Sequence, residues 1–229
     1  MKGSAMDRDL TRKNLASMID HTVLAVETPR QDIVRLCEEV QREDFASACI
    51  HPFWVKEMAP QFPDIRLCTV IGFPLGLSTI KLYEAEKAAE SGAVELDIVV
   101  NHAWVMDENW KNIAEELSSF RHVLPEVTLK LILETCRLTD EQIIKLSSLA
   151  SSASFDWIKT STGFAASGAT VEAVRLMKSQ CKGGMQVKAS GGIRNLESTL
   201  AMIEAGASRI GTSSGLAILK EFGVKRGIN

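Results

Sequence analysis

The chain has 229 residues, of which 45% are hydrophobic and 24% are charged, an ordinary composition for a globular protein. Its net charge of −3 and pI near 5.9 offer no general electrostatic attraction to nucleic acid or to an anionic membrane, so we expect neither as a partner. No apolar run approaches the roughly 20 residues that span a bilayer, and the opening MKGSAMDRDL lacks the apolar core of a secretory signal.

Short apolar runs and helix-like segments alternate from one end of the chain to the other. Most of the runs are apolar throughout, which is typical of parallel strands covered on both faces. The predicted strands are residues 16–20, 45–50, 66–71, 94–100, 127–133, 155–160, 185–190 and 208–213.

The segments between the strands carry helix-start signals. Thr28 and Thr139 are each followed three residues later by a glutamine, which predicts a capping box at both positions. Thr170 and Asn195 are predicted N-caps of the helices that follow them.

Eight strands alternating with helices predict a (β/α)8 TIM barrel, whose usual size is about 250 residues. We expect one domain over residues 1–229, with residues 1–14 as an N-terminal extension or helix. The alternative is a doubly wound open sheet, but no G-x-G-x-x-G follows the first predicted strand.

Three lysines, Lys130, Lys159 and Lys188, stand 29 residues apart, each inside a predicted strand. Lysine is rarely buried without a partner, so this period predicts a repeated βα unit that directs amines into a shared interior. Because side chains alternate along a strand, Asp97 is predicted to reach the same barrel mouth. Lys130 sits earlier in its strand, so we expect it deeper, as a structural partner of Asp97 or of Glu134 at the rim.

A cluster of amines indicates chemistry on carbonyl groups. A free lysine has a pKa of about 10.4, and a neighbouring cation together with partial burial favours the neutral amine. Such an amine adds to an aldehyde and forms a Schiff base, an electron sink for C–C bond cleavage. Asp97 could supply the proton transfers or be a buried salt-bridge partner.

Glycines and hydroxyls follow the last three strands. Backbone N–H groups exposed by glycine make an anion cradle, and barrels often bind phosphate after strands seven and eight. The candidates are Gly163, Gly191, Gly192, Gly211, Ser213 and Ser214.

Metal and cofactor chemistry is not indicated. The four histidines show no ligand spacing, and the five cysteines show no C-x-x-C pair. We therefore expect no metal, no cofactor and no disulfide framework, and a reduced cytoplasmic setting.

Six phrases together resemble the deoxyribose-phosphate aldolases, class I aldolases with a TIM barrel: GFPLG, VELDIVVN, LKLILET, FDWIKTSTGF, VKASGGIR and AGASRIGTSS. The resemblance runs from about Ile19 to about Ser214. It implies that Lys159 forms the Schiff base, that Lys188 makes this nucleophile easier to deprotonate, and that Asp97 shuttles protons.

The same resemblance implies that the glycine and serine loops hold the sugar phosphate, and it places Asp20 and Thr22 near the substrate. One departure concerns the chain end. Some family members carry a terminal tyrosine that assists proton transfer to the enamine carbon, whereas this chain ends EFGVKRGIN and has its only tyrosine, Tyr83, in a predicted helix.

The sequence therefore predicts a lyase that reversibly cleaves 2-deoxy-D-ribose 5-phosphate, a step of deoxyribonucleoside catabolism. Two alternatives stay open: a Schiff-base barrel aldolase for another sugar phosphate, and a catalytically silent phosphosugar-binding barrel. A homodimer and a homotetramer are both compatible with the sequence.

Overall fold

The protein, a computed structural model that describes residues 10–227, forms a closed barrel of eight parallel strands that pair in sequence order. The first and last strands pair with each other and close the barrel. The prediction of a (β/α)8 TIM barrel is confirmed, and the open sheet is excluded. The strands are β1 Ile19–Thr22, β2 Ser47–Ile50, β3 Leu67–Ile71, β4 Glu95–Val99, β5 Thr128–Ile132, β6 Trp157–Lys159, β7 Gln186–Ser190 and β8 Arg209–Thr212.

Helices cover the outside of the barrel, and a 3₁₀ turn spans Thr135–Arg137 after β5. None of the helices within residues 10–227 is long and apolar enough to cross a bilayer. The α-helices of this part of the chain are α1 Arg12–Ala16, α2 Arg30–Glu43, α3 Pro52–Met58, α4 Lys81–Glu90, α5 His102–Met106, α6 Trp110–Val123, α7 Asp140–Ser152, α8 Val171–Gln180, α9 Leu196–Glu204 and α10 Gly215–Arg226.

The apolar strand runs are buried on both faces, because one face meets the helices and the other fills the barrel. The outer face packs against helix residues such as Leu36, Leu117 and Leu146 in one continuous core. The inner face carries most of the charged side chains that the structure buries. This separation puts the polar chemistry inside the barrel and the hydrophobic stabilisation around it.

The register of the strands sets the depth of the three lysines. Lys159 on β6 is the register partner of Lys188 on β7. Lys130 on β5 is instead the partner of Trp157, two residues before Lys159, and of Asp97 on β4. Lys130 therefore starts one inward-facing position deeper than the other two lysines, as the sequence predicts.

The predicted start of the first strand is wrong. Residues 12–16 form α1 because the hydroxyl of Thr11 accepts a hydrogen bond from the N–H of Asn14 and caps the helix, so β1 begins only at Ile19. The expected N-terminal extension lies largely outside the described residues, which begin at residue 10.

One of the two predicted capping boxes is also wrong. The hydroxyl of Thr28 donates to the carbonyl of Ala25, and Pro29 occupies the N-cap position of α2 without a side-chain cap. The box at Thr139 is confirmed, with Gln142 completing it. At the start of α2 the ring of Pro29 fixes the backbone. The hydroxyl of Thr28 therefore bonds within the preceding turn, to the carbonyl of Ala25.

Candidate active site

The carboxylate of Asp97 lies at the centre of a cluster of three buried lysines. Its Oδ1 accepts a hydrogen bond from Lys130 Nζ at 2.9 Å, and its Oδ2 accepts from Lys159 Nζ and Lys188 Nζ, each at 2.7 Å. None of the four side chains is more than 3% exposed. The structure thus brings together the predicted nucleophile, its predicted cationic neighbour and the predicted proton shuttle.

A second layer of ion pairs lies beneath this centre. Lys130 Nζ is 2.6 Å from Glu95 Oε2, and Lys188 Nζ is 2.5 Å from Asp20 Oδ2. Neither carboxylate oxygen has a partner with hydrogen-bond geometry, so both contacts are coulombic. Arg209 Nη1 donates to the other oxygen of Asp20 at 2.6 Å. The sequence leaves Asp97 and Glu134 open as partners of Lys130, and in the structure Lys130 pairs with Asp97.

Burial and the neighbouring charges act in opposite directions on these groups. Burial alone raises the pKa of Asp97, but Lys130, Lys159 and Lys188 outweigh it and hold this pKa well below its usual range. Burial alone lowers the pKa of Lys188, but Asp20 and Asp97 outweigh it and raise the pKa of its amine. Both residues are therefore charged at neutral pH.

The cluster holds more positive than negative charge. Four cations, Lys130, Lys159, Lys188 and Arg209, face three carboxylates, Asp20, Glu95 and Asp97, in the ion-pair network. Arg66, which reaches Glu95 from the exposed end of the barrel, only enlarges the excess. Loss of one proton from one amine would bring the buried set to balance, and a neutral amine is what carbonyl addition requires.

Two features that sequence reasoning did not identify hold this network in place. The guanidinium of Arg209 lies 4.9 Å from the ring centroid of Trp157, a cation–π contact that fixes the arginine beside Asp20. Lys188 extends over Gly211, where an added Cβ would lie 3.0 Å from Lys188 Cε. The absence of a Cβ at Gly211 therefore leaves room for the side chain of Lys188. Gly211 is also a predicted member of the anion cradle.

A cavity of about 600 Å³ opens above the cluster at the carboxyl ends of the strands. Lys159 lines this cavity, whereas Lys130, Lys188 and Asp97 are not among its lining residues. The walls come from the loops after β1, β6, β7 and β8. Lys159 is therefore the lysine of the cluster that a molecule in the cavity would meet.

Most of the predicted phosphate residues line the same cavity. They are Gly163, Gly191, Gly192, Gly211 and Ser213, with the predicted substrate neighbour Thr22. Ser214 is not among the lining residues and precedes α10 as its N-cap residue. Asp20 lies below the cavity, in the ion-pair layer.

The backbone of the cradle depends on close glycine contacts. Gly191 has φ of +87°, and an added Cβ would lie 2.9 Å from the Cα of Gly168. This approach packs the loop after β6 onto the loop after β7. Arg194, two residues beyond the second glycine of the pair, also lines the cavity and adds a cation that the sequence reasoning did not single out.

Two sets of side chains have the spacing of metal ligands. Cys49, Cys68 and Asp97 bring ligand atoms within 4.8 Å of one another, as do Asp20, Cys68 and Glu95. The carboxylates of both sets already bind the ammonium groups of the cluster, and Cys68 Sγ lies 3.2 Å from Asp97 Oδ1. A divalent cation would enter a region with excess positive charge, which disfavours it.

His102 is the histidine with the most strongly altered environment. Both of its ring nitrogens are buried without a hydrogen-bond partner in the described chain. Burial, with the nearby cations Arg137 and Lys81, lowers the pKa of His102 to about 4. It is therefore neutral at pH 7, in keeping with a structural role.

Comparison with known proteins points to one family. The sequence model described as DeoC/LacD family aldolase matches residues 14–221. The chain is 43% identical over 210 residues to the deoxyribose-phosphate aldolase of Brevibacillus brevis, covering 90% of this chain and 95% of that protein. It is 46% identical over 214 residues to the enzyme of the same name from Carboxydothermus hydrogenoformans, covering 90% and 94%.

Two solved structures of aldolases are also similar to this chain. The aldolase QR15 superposes with a TM-score of 0.88 at 42% identity, covering 93% of this chain and 97% of that one. The deoxyribose phosphate aldolase of Aeropyrum pernix, described as having a unique tetrameric structure, superposes with a TM-score of 0.86 at 33% identity, covering 96% and 98%.

Proposed function

The chain belongs to the DeoC/LacD family of aldolases, and we propose that it reversibly cleaves 2-deoxy-D-ribose 5-phosphate to D-glyceraldehyde 3-phosphate and acetaldehyde. Such an enzyme is an aldehyde-lyase, and deoxyribonucleoside catabolism is its setting. The observation that carries the mechanism is the position of Lys159: its amine pairs with Asp97 in the buried charge cluster, and it is the lysine of that cluster that lines the cavity.

Lys159 is the proposed nucleophile. Lys130 is held by three carboxylates and Lys188 by two, and neither lysine is among the residues that line the cavity. Within residues 10–227, Lys159 pairs with one carboxylate, that of Asp97. The fixed positive charge of Lys188, joined to the same oxygen of Asp97, favours release of a proton from Lys159.

The first half of the reaction builds an iminium ion. The neutral amine of Lys159 adds to the aldehyde carbon C1 of the open-chain sugar, and the carbonyl oxygen takes up a proton from solvent, to which Lys159 released one on becoming neutral. Asp97 receives the proton that the attacking nitrogen loses, and it returns this proton to the hydroxyl as the carbinolamine expels water. Lys188 stabilises the carboxylate form of Asp97 before the first transfer and after the second.

The second half breaks the C2–C3 bond. Asp97, a carboxylate again after the dehydration, accepts the proton of the C3 hydroxyl by way of water in the cavity. The C2–C3 electron pair becomes the C1–C2 double bond of an enamine, and the iminium nitrogen takes the electron pair of the C=N bond. Glyceraldehyde 3-phosphate leaves, C2 is protonated, and water hydrolyses the resulting iminium ion to acetaldehyde and free Lys159.

The proton that C2 receives needs a donor. Tyr83 lies within α4 with its side chain more than half exposed, and it is not among the residues that line the cavity. We propose that Asp97, by way of water in the cavity, returns this proton, since it is the acid–base group nearest to the Schiff-base nitrogen.

The sugar phosphate is proposed to bind between the loops after β6, β7 and β8. Gly163, Gly191 and Gly192 have positive φ and line the cavity, an arrangement that presents backbone N–H groups to an anion. Ser213 and the guanidinium of Arg194 supply a hydroxyl and a positive charge. Ser214 and Gly211 remain predicted members of the same cradle.

The wider setting is also a proposal. Residues 1–229 form one aldolase domain that works without metal or cofactor and associates as a homodimer or homotetramer. A tetrameric relative that this chain covers almost fully supports self-association. The five cysteines are free, which fits a cytoplasmic location. Light scattering of the purified protein measures the oligomeric state.

Borohydride trapping tests the mechanism. The protein is incubated with acetaldehyde, reduced with sodium borohydride, digested and mapped by mass spectrometry. We expect an ethyl-sized addition on Lys159, and none in a Lys159→Arg variant that retains the circular dichroism of the parent. An adduct on Lys188 or Lys130 alone, or no adduct, would exclude the proposed nucleophile. Preferred cleavage of ribose 5-phosphate over the deoxy compound would overturn the substrate assignment.

A further inference from the structure

Glu134 is a buried glutamate that the catalytic steps above do not use. We propose that it is a positioning residue for phosphate recognition, which holds the loop after β6 in the conformation that binds the anion. The inference rests on the proposed function, because it concerns the same sugar phosphate and the same cavity.

Glu134 bonds to one residue of the loop through both of its carboxylate oxygens. Oε1 accepts from the backbone N–H of Thr162 at 3.1 Å, and Oε2 accepts from the hydroxyl of Thr162. The same hydroxyl accepts from the N–H of Phe164 at 3.1 Å. A single carboxylate therefore fixes the backbone on both sides of Gly163, the glycine that the proposed phosphate site shares with the cavity wall.

The position of Glu134 is costly, which argues for a role beyond packing. Its backbone has φ of 56° and ψ of 60°, a left-handed conformation that disfavours residues with a Cβ. Its side chain is 2% exposed, and none of the ion pairs within residues 10–227 includes it. A buried carboxylate without a cation is tolerated only where hydrogen bonds replace its lost water. Here Thr162 donates both hydrogen bonds, one from its backbone N–H and one from its hydroxyl.

Lys159 does not depend on Glu134 for its own position. The carbonyl of Lys159 accepts from the N–H of Leu133, and the carbonyl of Thr160 accepts from the N–H of Thr135. These bonds continue the strand pairing between β5 and β6 past the ends of the strands. Removal of the Glu134 carboxylate should therefore loosen the loop at residues 162–164 and leave the nucleophile in place.

Kinetics with and without the substrate phosphate test this division. For Glu134→Ala we expect kcat/KM for 2-deoxyribose 5-phosphate to fall about 10- to 100-fold, the effect of losing hydrogen bonds to a charged group. The loss should come mainly from a higher KM. With unphosphorylated 2-deoxyribose the change should stay within about threefold, and the rate of borohydride trapping with acetaldehyde should not change.

Companion variants separate positioning from general destabilisation. Glu134→Gln can still accept from the N–H of Thr162 and should recover most of the selectivity for the phosphorylated sugar. Thr162→Val removes the hydroxyl bond and keeps the backbone N–H bond, so it should reproduce part of the loss. Glu134→Ala should cost less in the Thr162→Val background than in the parent, because the two changes share the hydroxyl bond. Glu115→Ala, an exposed glutamate on α6, is the control and should match the parent.

A direct measurement keeps this inference separate from the proposed activity. Titration calorimetry with inorganic phosphate should give a Kd about tenfold higher for Glu134→Ala than for the parent, whether or not the parent cleaves the sugar. Equal losses with the phosphorylated and unphosphorylated sugars, or an unchanged Kd for phosphate in the folded variant, would overturn the positioning role. Absence of cleavage by the parent would overturn the proposed function alone.

Discussion

Replacement of Lys130 by methionine is the sharpest test of how the buried cluster is organised. Methionine keeps an unbranched side chain of similar length and removes the charge. Lys130 Nζ is 2.6 Å from Glu95 and 2.9 Å from Asp97, and all three side chains are fully buried. Removing one partner of a buried ion pair costs about 3–5 kcal/mol, because the remaining charge is left uncompensated. Since Arg66, Lys159 and Lys188 still face these carboxylates, we expect a value near the lower end, about 3 kcal/mol.

Guanidinium chloride unfolding, followed by circular dichroism at pH 7 and pH 5, measures this cost. Lys130 is the strongest charged neighbour that keeps the pKa of Asp97 low against the effect of burial. Without it, the pKa of Asp97 is less strongly lowered, because Lys159 and Lys188 remain, so the variant loses less of the stability contributed by Asp97 as pH falls below the unfolded pKa. The difference between parent and variant should therefore be nearly the same at pH 7 and pH 5 and should narrow only below about pH 4.

The matched control and the refuting results are equally specific. Lys111→Met removes a lysine that is 84% exposed and 3.8 Å from Glu115, so it should change the free energy of unfolding by less than about 0.5 kcal/mol. The folded Lys130→Met protein should still form the reduced acetaldehyde adduct on Lys159. A stability loss below about 1 kcal/mol, or a folded variant without the adduct, would refute the structural role of Lys130.

Four further outcomes are expected. Asp97→Asn should lower kcat about 100- to 10,000-fold in steady-state assays, the range for loss of a general acid–base group; near-normal turnover would contradict the shuttle role. Gly211→Ala should reduce kcat about tenfold by displacing the amine of Lys188, with thermal melting shifted only slightly; unchanged activity would show that the lysine has room. His102 has a folded pKa of about 4, below the unfolded value of about 6.5, so its contribution is complete above pH 6.5 and lost as pH falls toward 4. Between pH 7 and pH 4.5 the parent should lose about 2 kcal/mol more stability than His102→Phe in urea unfolding, after allowance for partial exposure. If the unfolding free energies of the two proteins fell equally with pH, His102 would not be the cause. Dialysis against EDTA should leave kcat unchanged. A fall in kcat that added zinc restores would overturn the metal-free mechanism.

The family fold was predictable because it depends on a repeated local pattern. Apolar strand runs and capping residues such as Thr139 recur along the chain, and each is decided by neighbours close in sequence. Errors arose where local signals compete. The helix that Thr11 caps extends to Ala16, the residue at which the apolar run predicts the first strand to begin. At the start of α2, Pro29 rather than Thr28 is the N-cap residue.

The residue types of the proposed site were also readable from the chain. Lys159, Lys188 and Asp97 were predicted from strand position and from a family resemblance, and the structure places them within hydrogen-bonding distance of one another. Two contacts are not predictable in this way. Arg209 precedes a predicted glycine loop, and its strand position is the one signal of an inward side chain. For Glu134 the sequence predicts a rim position as a partner of Lys130, whereas the structure pairs it with Thr162.

By itself the sequence determined that three amines enter one barrel, because a period of 29 residues places the three lysines on successive strands. The alternation of side chains along a strand adds the carboxylate of Asp97. It could not decide which oxygen each amine binds. The tertiary structure decided that Lys130 is held between Glu95 and Asp97, and that Lys159 reaches the cavity. Such choices depend on strand register and on the summed field of charges from strands far apart in sequence, and both exist only once the barrel has closed.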